Sequence, residues 1–184
     1  MRHAVVRVAA GLLFVFAATP TLAANWPART AGPIAAAPGY VQIPGVAVPL
    51  DPAHDYKALF QGSKAAADKD KPHRVLLGIG GQMNALLLAK VPADHIHFAA
   101  IFFGPAADAL LTDAAYRAKH GMANPNLPLI AELVKAGLKI YVCGQFMAAA
   151  DLPRAALVPE VEVAEGASLV KIRLANDGYA ILND

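Results

Sequence analysis

Apolar and polar positions along the chain follow two periods in turn, and this alternation predicts an α/β fold. Short apolar runs rich in β-branched and aromatic residues, bounded by turn residues, predict buried strands. They lie at 55–60, 96–103, 138–142, 161–163 and 179–182. Between them, apolar residues recur at three- and four-residue spacing, which predicts helices. The helices are predicted at 72–90, 106–118, 127–136, 145–150 and 168–176.

Strands that alternate with helices pair in parallel through right-handed crossovers, which place the helices on the faces of the sheet. The pattern therefore predicts an α/β domain. We expect a mainly parallel sheet of about five strands with helices on both faces.

The first 23 residues have the pattern of a secretory signal peptide. They begin with basic residues, continue with an uncharged apolar stretch at 8–18, and end on Thr21-Leu22-Ala23. Small residues at the two positions that a signal peptidase reads favour cleavage after Ala23 or Ala24. The apolar stretch is shorter than the roughly 20 residues that span a bilayer. We therefore expect a periplasmic or secreted protein without membrane attachment after cleavage, and an uncleaved membrane anchor is the alternative.

A proline-rich segment separates this leader from the predicted domain. Residues 24–54 contain six prolines and three glycines. Proline fixes φ and removes a backbone donor, so the segment is predicted to be extended or looped. It either wraps the domain or tethers it, and the pattern leaves both open. Residues 55–184 are predicted to form the α/β domain.

The charge balance argues against nucleic acid as a partner. The full chain has 16 Lys and Arg against 14 Asp and Glu. Removal of the leader takes away Arg2 and Arg7, so the remaining chain is neutral, with scattered charges. Such a chain lacks the basic surface that binds nucleic acid or an anionic membrane.

Cys143 is the only cysteine, so an internal disulfide is excluded. It directly follows the strand at 138–142, and open α/β sheets build their sites beyond the carboxyl ends of strands. The N–H groups of a helix that begins near Gln145 would favour thiolate over thiol. We predict Cys143 as the catalytic residue, with Gly144 and Gln145 as anion-stabilising neighbours. An inert buried thiol is the alternative.

Histidines near this cysteine would suggest other chemistry. His95 and His97 alternate on a strand and, together with Cys143, could form a zinc or copper ligand set. They lie at the amino end of their strand whereas Cys143 follows the carboxyl end of its own, so a parallel sheet places them at opposite edges. We therefore predict solvated histidines and no metal site.

A Cys–His pair would instead need His73 or His120 close to Cys143. His120 is the better auxiliary candidate, because its loop leads into the helix before the Cys143 strand. A surface histidine near a helix C-terminus is the simpler interpretation. Met147 is a second auxiliary candidate, as part of a pocket wall beside Cys143.

Several stretches, taken in order, resemble the DsrE/DsrF-like family, specifically its exported single-domain members. The matching stretches are 56–60, 98–106, 113–121, 124–127, 136–137, 141–145 and 178–180. The resemblance implies a flavodoxin-like three-layer sandwich that assembles as a trimer or hexamer. Asn84 matches an asparagine common in the first helix of the family, and Gly104 belongs to a matching stretch. Both are predicted as binding residues of the site.

The resemblance also implies a function. In members that handle sulfur, a cysteine matching Cys143 carries sulfane sulfur as a persulfide, without an organic cofactor. The expected partner is a small sulfur donor or a thiol partner protein. One departure is Phe103, where the family often has histidine, which makes the predicted site more apolar. The alternatives are a non-catalytic oligomeric binding module and a metal-handling protein of the cell envelope.

Overall fold

The structure is a computed structural model that describes residues 26–183. The predicted signal peptide at 1–23 lies outside the described residues. Among residues 26–183, none of the helices has the length and apolarity that a bilayer crossing requires.

One sheet of five parallel strands forms the centre of the molecule. The strands are β1 (Tyr56–Gly62), β2 (Ile96–Phe102), β3 (Lys139–Cys143), β4 (Val161–Ala164) and β5 (Ala180–Leu182). Their order across the sheet is β4-β3-β2-β1-β5, and every pair of neighbours is parallel. The predicted α/β fold with about five parallel strands is confirmed. The chain steps from β1 to β4 in one direction and then crosses back to place β5 beside β1.

Within the described residues 26–183, five α-helices connect and flank these strands. They are α1 (Arg74–Leu88), α2 (Asp113–His120), α3 (Leu127–Lys135), α4 (Gly144–Ala149) and α5 (Ala167–Asn176). Three 3-10 segments occupy Ala93–His95, Gly104–Leu110 and Arg154–Ala156.

Two apolar clusters lie on opposite faces of the sheet, because alternate strand residues point to opposite sides. The larger cluster joins strand residues such as Phe60 and Phe102 to α1 and α3. The smaller one joins Leu59, Ala99 and Ile101 to Cys143 and to α5. The helices therefore flank both faces, and α5 is the helix that crosses the second one.

The proline-rich segment wraps the domain. Thr30 and Tyr40 pair as an antiparallel bridge, and Ile34 between them is buried. The Asn84 side chain accepts a hydrogen bond from the Ile34 N–H at 2.9 Å and donates to the Ile34 and Pro38 carbonyls at 3.0 and 3.1 Å. This buried amide fastens the segment to α1.

The predicted helix at 106–118 is wrong in one respect, because the chain breaks in its middle. A 3-10 segment ends at Leu110, and Leu111 is extended and pairs with Leu157. Thr112 then caps α2, with its Oγ1 accepting the Ala115 N–H at 3.2 Å. Threonine is a favoured N-cap residue because its oxygen satisfies an otherwise free helical N–H.

The first helix also starts later than predicted. Pro72 was expected at its first position, but His73 is the N-cap and α1 begins at Arg74. The buried His73 ring accepts the Val75 N–H through Nδ1 at 3.2 Å. Its Nε2 lies 2.9 Å from the Lys64 carbonyl, so this nitrogen carries the proton and donates.

Candidate functional site

Cys143 is the last residue of β3, at the carboxyl edge of the sheet. Its register partner on β4 is Ala164, and the preceding Val142 pairs with Phe102 of β2. Val142 packs into the larger cluster, so Cys143 faces the opposite side, towards α5. The residue is 7% exposed. The predicted location at a strand end is therefore observed, and the thiol there is buried.

The amide N–H directed at the sulfur belongs to α5. Ala167 N–H donates to Cys143 Sγ at 3.4 Å. Ala167 is the first residue of α5, and the N-cap residue Gly166 has no side chain with which to cap it. The sulfur of Cys143 therefore serves as the capping acceptor of a helix that begins 24 residues later.

The helix that follows Cys143 directly does not supply this contact. Cys143 is the N-cap of α4, yet its side chain makes no capping hydrogen bond there. Gln145 is exposed. The N–H groups near Gln145 were predicted as the hydrogen-bond donors to the thiol, but the observed donor is the Ala167 amide. The reason is that the thiol faces α5 and not the start of α4.

The surroundings of the thiol are apolar. The thiol shares its cluster with three buried strand residues, Leu59, Ala99 and Ile101, and Phe103 packs against the same cluster. Phe103 thus places a hydrocarbon ring on the thiol side of the sheet. Tyr141 lies at the edge of the cluster, and burial raises the pKa of its phenol, with smaller contributions from Glu162 and Tyr179.

Gly144 allows a close approach of backbones beside the cysteine. A Cβ atom at this position would lie 2.8 Å from the Ala164 carbonyl oxygen and 3.3 Å from a Val163 methyl group. Only glycine fits there without displacing β4 or the start of α4. Its observed role is to hold the Cys143 turn against the edge strand.

Gly104 shapes the neighbouring turn. It has φ +56°, in the left-handed region that favours glycine, and begins the 3-10 segment after β2. A Cβ there would lie 3.3 Å from the Ser63 carbonyl oxygen. Gly104 therefore shapes the carboxyl edge of the sheet.

Three other predicted residues are not assembled around Cys143. Asn84 holds the N-terminal segment, and Met147 is buried in the larger cluster on the opposite face. The His120 Nε2 lies 3.0 Å from Asp108 Oδ2, and its ring packs on Tyr116 with centroids 4.4 Å apart. Tyr116 belongs to the larger cluster, so His120 is also on the far side of the sheet.

The histidines at the amino edge form a surface cluster with one carboxylate. His95 Nδ1 and His97 Nε2 lie 3.5 and 3.9 Å from Asp55 Oδ1, and all three side chains are at least one-third exposed. No three His, Cys, Asp or Glu side chains in residues 26–183 are arranged to hold a metal ion.

The sequence reasoning missed Ala167, whose contribution is a backbone N–H. No signal in the chain pointed to it, because Ser168, at the start of the predicted helix at 168–176, is itself a favoured N-cap residue. In the structure the helix begins one residue earlier, at Ala167, and this leaves Gly166 as an N-cap without a side chain. An uncapped helix start on a covered sheet face needs an acceptor from elsewhere. Cys143 is the acceptor that the fold provides.

The chain is similar to known proteins in both sequence and fold. The family model described as the DsrE/DsrF-like family matches residues 54–183. The chain belongs to the DsrE/DsrF-like family. A search of the curated proteins found no match. Family membership suggests a role related to sulfur relay.

Two solved structures are similar in fold. The ychN protein from E. coli is 14% identical, with 70% of this chain and 99% of that chain covered and a TM-score of 0.50. A protein of unknown function, MTH1491 from Methanobacterium thermoautotrophicum, is 19% identical, with 71% and 100% covered and a TM-score of 0.49. At these identities the likeness to the ychN protein concerns the fold alone.

Proposed function

We propose that this DsrE/DsrF-family chain is a sulfur carrier of the cell envelope in which Cys143 holds sulfane sulfur as a persulfide. The observation that carries the proposal is the hydrogen bond from Ala167 N–H to Cys143 Sγ. A helix N-terminus stabilises negative charge, and hydrogen bonds to an anion are stronger than those to a neutral acceptor. The contact supplies a hydrogen-bond donor to the sulfur atom at which the chemistry would take place.

The loading step needs no cofactor or external oxidant. The Cys143 thiolate attacks a sulfur of an inorganic polysulfide, one sulfur–sulfur bond of the donor breaks, and a new one forms on the cysteine. The shortened polysulfide leaves with the electron pair of the broken bond. In delivery, an acceptor thiolate attacks the outer sulfur, and Cys143 leaves as thiolate.

We propose that the carrier acts outside the cytoplasm, with a small sulfur donor or a thiol partner protein as its partner. The leader pattern at 1–23 supports export. N-terminal sequencing of the protein isolated from the periplasmic fraction tests this. A chain that starts at Ala24 or Asn25 supports export, and an intact leader in the cytoplasm contradicts it.

We also propose assembly into a trimer or hexamer. Two large apolar side chains of the N-terminal segment, Trp26 and Val48, are 65% and 87% exposed. A second subunit would remove them from water. Sedimentation velocity tests this, because a single species of one-subunit mass over a wide concentration range contradicts the assembly.

The carrier function is tested by sulfur transfer in two stages. The mature protein is incubated with inorganic polysulfide, separated from the donor, and then mixed with a small thiol acceptor. We expect about one sulfur per chain to reach the acceptor, and none from Cys143→Ser, which keeps an oxygen acceptor for Ala167. Equal transfer by both proteins would overturn the proposal.

A second candidate function is a non-catalytic binding module. The 7% exposure of Cys143 favours it, as does an open cavity elsewhere at the carboxyl edge. That cavity has a volume of about 350 Å3 and is lined by Phe60, Gln61, Arg74, Gly78 and Leu182 among others. It lies where β1 and β5 meet, the point at which the strand order reverses, and α/β sheets bind ligands at such points. A folded protein whose Cys143 never takes up sulfur would favour this function.

A further inference from the structure

The burial of Cys143 conflicts with its proposed reaction, because a sulfur donor must reach the thiol. Leu59, Ala99 and Ile101 belong to central strands and cannot withdraw without breaking the sheet. Above the thiol lie Ala167 of α5, which is bonded to Sγ, and Phe146 of α4. Phe103 also borders the cluster with a partly exposed ring. The two helices are the backbone elements whose movement would uncover the thiol.

The start of α4 is fixed in place. Gly144 packs so closely on the Ala164 carbonyl that a single added methyl group would clash. One turn later, Met147 is buried in the larger cluster. A movement of α4 would disrupt both the edge strand and the main core.

The start of α5 is held far more weakly. Ala167 is the only one of its ten residues that is buried, whereas α1 buries seven of fifteen. Its N-cap is Gly166, which contributes no side-chain contact and no capping hydrogen bond. Few buried apolar contacts and a weak cap are the features of segments that open locally.

The other end of α5 is tied down. Lys171 Nζ donates to Gln61 Oε1 of β1 at 2.8 Å, and the Tyr179 N–H donates to the Leu174 carbonyl at 2.9 Å before β5 begins. The helix is thus anchored in its middle and at its C-terminal end. The first turn, in contrast, is held by the hydrogen bond to Cys143 Sγ and by the packing of Val170 in the smaller cluster.

We propose that the first turn of α5 is a gate over Cys143, and that local opening of this turn admits the sulfur donor. This inference rests on the proposed carrier function. In the closed state Ala167 shields the thiol and stabilises it. Opening exposes Sγ while the sheet, α4 and the C-terminal half of α5 remain folded.

The test compares rates of Cys143 modification by an aromatic disulfide reagent in three variants. Val170→Ala removes two methyl carbons from the side of α5 that packs on the sheet, and we expect modification roughly tenfold faster than in the wild type. Ile172→Ala makes the same kind of change on the exposed side and should stay within about twofold. Leu133→Ala weakens the core on the opposite face of the sheet, so it should leave the rate of Cys143 modification unchanged.

Equal rates for Val170→Ala and Ile172→Ala would overturn the gate. A faster rate for Leu133→Ala than for Val170→Ala would also overturn it, since modification would then follow global unfolding. Amide hydrogen exchange of the wild type gives an independent check. The first-turn amides of α5 should exchange faster than those of β3, and equal exchange in the two would contradict the gate.

The outcomes for the gate and for the carrier function are separable. If Cys143 is modified at a rate that Val170→Ala accelerates, yet never gains sulfur from polysulfide, the gate stands and the carrier function fails. If Cys143 gains sulfur at a rate that Val170→Ala leaves unchanged, the carrier function stands and the gate fails.

Discussion

The Cys143 sulfur caps α5 through the amide of Ala167, although the two residues belong to different crossovers of the fold. The contact joins the end of β3 to the one helix that crosses the second face of the sheet. It gives the lone cysteine a structural task in addition to the proposed chemical one.

Loss of the sulfur should therefore loosen the start of α5. We expect Cys143→Ala to speed amide exchange at Ala167 roughly fivefold, because a hydrogen bond contributes about 1 kcal/mol. Cys143→Ser keeps an acceptor in place and should preserve most of the protection. Hydrogen exchange followed by NMR measures both, and equal protection in Cys143→Ala and the wild type would show that Sγ is not the cap.

Gly144→Ala should destabilise the fold by about 1–3 kcal/mol, because its Cβ would press on the Ala164 carbonyl oxygen. Gly78→Ala is the matched control, since Gly78 lies within α1 and a Cβ there meets no atom within 4 Å. The control should gain about 0.5–1 kcal/mol from its higher helix propensity. Urea unfolding followed by circular dichroism compares the two, and equal effects would contradict the close packing at Gly144.

Asn84→Ala should free the N-terminal segment without changing the reactivity of Cys143. The Ile34 N–H and carbonyl would lose their buried partner, at a cost of about 1–3 kcal/mol. Limited proteolysis should then cut within residues 26–50 at an increased rate. If Asn84→Ala changes the rate of Cys143 modification more than Leu133→Ala does, Asn84 contributes to the site, as the sequence analysis predicted.

Tyr141 should make stability depend on alkaline pH. Burial, Glu162 and Tyr179 raise its pKa above the ordinary value of about 10. The folded chain thus holds the phenolic proton more tightly than the unfolded chain. This stabilisation is complete below about pH 10 and is lost as the pH rises through the folded-state pKa.

Urea midpoints measured between pH 8 and pH 11 test this against Tyr141→Phe, in which that part of the pH dependence should vanish. Absorbance titration of Glu162→Gln should place the Tyr141 pKa closer to its ordinary value. An unchanged titration in Glu162→Gln would remove the carboxylate as a cause and leave burial and Tyr179.

The fold could be predicted in large part from the chain because its signals are local. The apolar run at 96–103 became β2 within one residue, and the prolines and glycines marked the connections. The helix at 106–118 was mistaken because the spacing of Leu110, Leu111 and Ala114 outweighed the cap signal of Thr112. The pairing of Leu111 with Leu157 is a long-range contact that no local pattern contains.

The candidate site could be predicted only in its position along the chain. A strand followed by Cys143 and Gly144 indicates a carboxyl edge, and the structure has it there. Which helix covers the thiol depends on the face that α5 crosses on its way from β4 to β5. His120 and Met147 were predicted beside the cysteine, but Met147 packs in the larger cluster on the opposite face and His120 packs on Tyr116 of that cluster.

The central claim is that the Cys143 sulfur of the folded protein accepts one sulfane sulfur. The most direct measurement is the intact mass of the mature chain under native conditions after brief exposure to inorganic polysulfide, followed by peptide mapping. We predict a species one sulfur atom heavier, with the addition on the peptide that contains Cys143 and its removal by a thiol reductant. An unchanged mass in the folded wild type, with the addition seen only after unfolding in urea, would contradict the claim.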